Sequence, residues 1–95
     1  MDLEFSGEII YWRGPAPFHF VVVPDEQSAA VEAVSSMVTY GWGVIPVEAR
    51  IGRTNFRTSL FPKGEGYLLP IKVAVRRAEH LEFGDTVTVR VHLEV

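Results

Sequence analysis

The last ten residues constrain the fold most. Val87, Val89, Val91, Leu93 and Val95 occupy every second position, and Thr86, Thr88, Arg90, His92 and Glu94 fill the positions between. Successive side chains of a strand leave on opposite faces, so this pattern specifies a strand with a core on one side and water on the other. A chain of 95 residues has room for one such core. That core must hold without staples, because the sequence has no cysteine. Disulfides, thiolate zinc sites, iron–sulfur clusters and cysteine nucleophiles are thereby excluded. With 47% hydrophobic and 22% charged residues the chain is a folded domain rather than a disordered one. No apolar run approaches a membrane span, and the acidic start Met1-Asp2-Leu3-Glu4 is unlike a secretory leader. A cytoplasmic protein without membrane contact is expected.

The same alternation recurs upstream. Leu3, Phe5, Ile9 and Tyr11 alternate with Glu4, Ser6 and Glu8 in a first strand, which the Gly14-Pro15-Ala16-Pro17 segment breaks. The continuous apolar run Phe18 to Val23 predicts a second strand buried on both faces. A helix follows, capped by Asp25 or Ser28, with Val31, Val34 and Val38 at helical spacing, and the glycines at 41 and 43 end it. Val44 to Ile51 reads as strand three, with Glu48 and Arg50 outward and Pro46 marking an edge or a bulge. Gly52-Arg53-Thr54-Asn55 reads as a hairpin connection, Phe56 to Phe61 as strand four and Tyr67 to Ile71 as strand five. A short helix covers Lys72 to His80, and Gly84 supplies a positive φ before the last strand. Six strands and two short helices at hairpin spacing, with no repeat and no linker, favour a small barrel forming one domain over residues 1–95.

From residue 41 onward the sequence resembles a bacterial family, domain of unknown function 1905. The resemblance is carried by Gly41-Trp42-Gly43, Ile51-Gly52, Phe56 with Thr58-Ser59-Leu60, Pro62-Lys63, Gly66-Tyr67, Leu69-Pro70-Ile71-Lys72, Arg76 and Gly84-Asp85-Thr86-Val87. It implies a mainly β fold, a six-stranded double-split β-barrel with two capping helices. At the level of architecture that fold is shared with AbrB-type DNA-binding domains. The resemblance implies no particular activity.

Charge is segregated along the chain. Residues 1–49 carry a net −6, residues 50–77 a net +6 and residues 78–95 a net −3, for −3 overall. The middle bases are Arg50, Arg53, Arg57, Lys63, Lys72, Arg76 and Arg77. Such a segment pairs with acids of its own chain, binds an anion, or meets the acidic segment of a second copy. Arg53, Asn55 and Arg57 are the first candidates for a small anionic or polar ligand, with Lys72 and Arg76 secondary. Trp42, set between two glycines, is the candidate aromatic wall of that site. Arg57 and Ser59 share a strand face with Phe61, a face that lines a groove if the barrel is split.

Three function classes stay open: a ligand-binding barrel, a nucleic-acid-associated module by analogy with AbrB-type barrels, and a self-assembling interaction module. The acidic balance and the few bases weigh against nucleic acid. The histidines His19, His80 and His92 lack metal-ligand spacing, and no cofactor loop or nucleophile elbow is present. No catalytic residue is therefore assigned. An enzyme reading gains only if His19 or His92 lies within hydrogen-bond reach of a serine or carboxylate in a cleft.

Overall fold

The computed structural model describes residues 1–13, 18–38 and 43–95. These form β1 (Asp2–Trp12), β2 (Phe18–Val22), α1 (Asp25–Val38), β3 (Ile45–Ile51), β4 (Thr54–Lys63), β5 (Gly66–Ile71), α2 (Val73–Glu79) and β6 (Thr86–His92). The strands close into an antiparallel barrel in the order β1-β2-β5-β4-β3-β6.

Two long strands make the closure. β1 pairs with β6 over residues 2–8 and then with β2 over residues 9–12. β4 pairs with β3 over residues 54–60 and then with β5 over residues 61–63. Each therefore begins in one sheet and ends in the other, which is the double-split barrel that the family resemblance implies. Where each strand changes partner the neighbouring strands part company, and the barrel wall opens.

The prolines sit where a ladder bond is not required. Pro46 lies in the half of β3 that has only β4 beside it, because β6 joins from Glu48 onward. Pro62 follows the end of the β3 pairing, and Pro70 lies in the part of β5 that only β2 flanks. A residue without an N–H costs nothing on an open side. Pro46 thus marks a local edge, not a bulge. Gly7 does the complementary task in β1: a Cβ there would overlap the Val22 carbonyl oxygen and touch Val21 Cγ1. Only glycine lets β1 pass this close to β2 before the two pair at Ile9 and Val21.

Inside, the period-two pattern becomes a core of Phe5, Ile9, Val21, Ile45, Leu60, Leu69, Val89 and their neighbours. Val87, Val89, Val91 and Leu93 are buried as the alternation requires, and Val95 is exposed. β2 and β5 run antiparallel, so the helices that follow them leave at opposite ends of the barrel. α1 seals one end with Val31 and α2 the other with Val75. Tyr67 secures α1 by donating its hydroxyl proton to Glu32 Oε2 at 2.8 Å. Burial, and then that carboxylate, push the Tyr67 phenol up to about 12. Thr54 Oγ1 donates to Glu79 Oε2 at 2.6 Å and holds the end of α2 against β4.

Three local expectations are corrected. β2 is not buried on both faces: Phe18 and Val22 are exposed on the outside of the barrel. Ser28 is a buried helix residue whose hydroxyl donates to the Val23 carbonyl rather than a cap. The turn after β3 is only Gly52-Arg53, with Gly52 at φ +59, so Thr54 and Asn55 already belong to β4. Gly84 has the expected positive φ, 92, in the passage to β6, and α2 itself ends on His80, also left-handed at φ 54. The expected helix end at Gly41 lies outside the described residues.

Gly7→Ala is expected to destabilise the protein by about 1–3 kcal/mol, the usual cost of forcing extra atoms into a packed site. Urea unfolding followed by circular dichroism measures it. An unchanged midpoint would show that β1 need not approach β2 so closely.

Candidate functional site

The two outer faces of the barrel are chemically opposite, and the sheet register shows why. On the sheet made by β1, β6, β3 and β4, one cross-strand row reads Asp2, His92, Glu48, Arg57 and the next reads Glu4, Arg90, Arg50, Asn55. Acids and bases alternate along the first row. Asp2 Oδ1 meets His92 Nδ1 at 2.5 Å, Glu48 Oε1 accepts from Arg57 Nη2 at 3.0 Å, and Glu4 Oε1 accepts from Arg90 Nε at 2.8 Å. The hydrogen bond to Asp2 raises His92 above the ordinary imidazole value, and the same bond lowers Asp2.

On the sheet made by β1, β2, β5 and β4 the outward residues are apolar. The rows here are Trp12 with Phe18, Ile10 with Phe20 and Pro70, and Val22 with Leu68 and Phe61. Trp12, Phe18 and Phe61 expose 58%, 47% and 43% of their surface, a large apolar display for a small domain. The Phe18 and Phe20 rings lie 6.0 Å apart at 53°.

The groove lies where β4 and β5 separate. Its lips are Arg57-Thr58-Ser59 of β4 and Pro70-Ile71-Lys72 at the end of β5, and its wall is Trp12, Phe18, Phe20 and Phe61, enclosing about 660 Å³. Thr58 Oγ1 donates across the gap to the Pro70 carbonyl at 3.3 Å. Lys72 directly precedes α2 and is exposed, with no side-chain hydrogen bond to the helix start. Arg57 stands on the ridge between the two faces and lines both the apolar groove and the charged one. Its link to Glu48 is between two exposed groups, a class of ion pair that holds a side chain only loosely.

The sequence-predicted residues part company here. Arg57 and Lys72 come together at the groove. Asn55 lies on the charged face opposite Arg50. Arg53 is exposed at the tip of the β3–β4 turn, while Lys63 is at the far end of β4. Arg76 is half-buried on α2 with its Nε buried and unpartnered among the described residues. Its charge adds to burial in lowering His19, whose ring is tilted 54° to that of Tyr11 at 4.8 Å. Trp42 lies outside the described residues. The middle bases thus do not converge on one place, because β4 is long enough to carry Arg53 and Lys63 to opposite ends. The wall residue Phe18 went unread as a site because it is some forty residues from Arg57 in the chain.

His92 meets Asp2 within a groove, the arrangement that would favour an enzyme. Its Nε2, however, lies 3.3 Å from Glu94 Oε1, so both ring nitrogens are engaged by carboxylates. Among the described residues no group of three His, Cys, Asp or Glu is placed to hold a metal ion. No helix among them is long and apolar enough to cross a membrane.

A family model, Domain of unknown function (DUF1905), matches residues 5–91. The chain belongs to that family. Its matched span includes both lips of the groove and its wall residues Trp12, Phe18, Phe20 and Phe61. No curated protein matches the sequence.

The raised His92 value has a testable sign. The stabilisation it reports is fully present below the unfolded histidine value of 6.5 and is lost as pH rises through the folded value. The lowered Asp2 value works from the other side. Its contribution is present above 3.8 and lost as pH falls through the depressed folded value. An NMR titration of the His92 ring is expected to give a value above 6.5 that falls in Asp2→Asn. An unshifted His92 in the wild type would contradict the pairing.

Proposed function

We propose that this DUF1905 barrel is a non-enzymatic binding module for a small planar anion, an aromatic carboxylate or phosphate, held in the split between β4 and β5. The observation that carries the reading is the pairing of aromatic surface with two cations at a single opening. Trp12, Phe18 and Phe61 offer ring faces and edges, on which a planar ligand stacks. Arg57 and Lys72 stand on opposite lips, where an anionic substituent meets both. The volume of about 660 Å³ lies within the range of small-molecule sites, and the mostly apolar wall with few polar groups has their usual character. Ligand engagement asks Arg57 to exchange Glu48 for the anion, which costs little at an exposed pair.

A second reading draws on the same exposed rings. The apolar outer face, running from Trp12 and Phe18 to Val22 and Phe61, also suits a second copy of the chain, so the module would self-associate. The bases support nucleic-acid binding least, since they form no continuous stripe. Light scattering separates the first two readings: a concentration-dependent dimer abolished by Trp12→Ser favours self-association.

The ligand reading is tested with 2-naphthoate, titrated by calorimetry against the neutral 2-naphthamide. The acid is expected to bind more tightly than the amide. Arg57→Ala and Lys72→Ala should each weaken it about ten-fold, the usual loss for a charge-assisted contact. Glu48→Gln should strengthen it several-fold by releasing Arg57. Equal binding of acid and amide, or indifference to both lip variants, would overturn the reading.

A further inference from the structure

The charged face holds a feature that cross-strand pairing alone does not explain. Arg50 of β3 and Arg90 of β6 are direct register partners. Residues so opposed have their Cβ atoms about 5 Å apart, and like charges in this position repel. Every other base in the two rows has an acid beside it: His92 lies between Asp2 and Glu48, and Arg57 faces Glu48. In the second row Glu4 is the sole carboxylate for two guanidinium groups.

The hydrogen bonds show how the two arginines are held. Arg90 spends its Nε on Glu4 Oε1 at 2.8 Å, and Arg50 spends its Nε on the Gly52 carbonyl at 3.0 Å. Both contacts anchor the stem end of the guanidinium and leave its two terminal amino groups without a partner among the described residues. A guanidinium is a planar fork whose remaining N–H groups match the edge of an oxyanion. Both arginines line one groove of about 340 Å³ together with Glu4, Gly52 and Thr88, where their remaining N–H groups can meet one tetrahedral anion. Asn55 stands next in the row beyond Arg50, and the Thr88 hydroxyl lines the groove on the other side of the pair. Asn55 is a neutral group able to donate, and the Thr88 hydroxyl shares a hydrogen bond with Ser6 Oγ at 3.0 Å.

The geometry points to a second binding site on this protein, in which Arg50 and Arg90 together clamp an inorganic or terminal oxyanion of the phosphate or sulfate class. The site is separate from the aromatic groove and needs no ring to fill it. An anion here removes the repulsion between the two arginines and adds charge-assisted hydrogen bonds in the same step. Glu4 sets its strength: by neutralising Arg90 it keeps the clamp weak, and the clamp tightens when that carboxylate is lost.

The test uses inorganic phosphate at low ionic strength and neutral pH, with chloride at equal ionic strength as the reference. Nitrogen-15 NMR follows the Arg side-chain resonances. Phosphate is expected to shift the Nε–H signals of Arg50 and Arg90 saturably while chloride does not. Arg50→Gln and Arg90→Gln should each weaken binding about ten-fold. Glu4→Gln should tighten it, and Lys63→Gln, which removes the same charge at a distant place, should leave it unchanged. Shifts spread evenly over all arginines, or an equal loss in Lys63→Gln, would mean general screening by an adventitious ion only and would overturn the proposal. Because naphthoate binding depends on Arg57 and Lys72 instead, either site can fail without the other.

Discussion

Everything in this barrel depends on β1 and β4 each serving two sheets. A strand that leaves one partner for another must pass a point where it has a neighbour on only one side. There the backbone of the facing strand is uncovered, and side chains from both lips reach a common space. In β4 that point falls at Leu60 and Phe61, so Arg57 to Ser59 face Pro70 to Lys72 across a gap instead of a ladder. The opening is therefore a consequence of closing a small barrel with two strands of double duty. Neither α1 nor α2 covers it, since both are occupied with the ends.

The same topology sorts the surface. One outer face inherits the polar positions of β1, β6, β3 and the first half of β4, and its acids and bases are placed to neutralise one another across strands. The other inherits the outward positions of β2, β5 and the second halves of β1 and β4, which are mostly apolar. Arg57 sits at the boundary and belongs to both. A cation that is lightly held on the polar side and borders an aromatic wall on the other is well placed to trade one partner for the other.

Much of this was legible in the alternation of residues, and the reasons for the rest are specific. β6 could be read residue by residue because it has one wet face, and β3 likewise through Glu48 and Arg50. β2 misled because an apolar residue in a strand predicts burial only if the outer face is covered, and here Phe18 and Val22 look outward on an uncovered face. Pro46 was recognisable as an edge signal, yet its companions Pro62 and Pro70 make sense only once the partner changes of β4 and β5 are known. Gly7 carries no pattern at all; its need appears only when the Val22 carbonyl is placed beside it. The excess of bases in the middle of the chain was real, but strand length dispersed it. Arg57 and Lys72 line one groove because the split brings the middle of β4 to the end of β5, a proximity that no spacing along the chain announces.

The central claim is that the split between β4 and β5, with its aromatic wall and its two cations, is a binding site. A crystal structure of the protein with 2-naphthoate tests it most directly. The account predicts the ring against Trp12, Phe18 and Phe61 with the carboxylate between Arg57 and Lys72. A ring lodged elsewhere, or a carboxylate turned away from both lips, would contradict it.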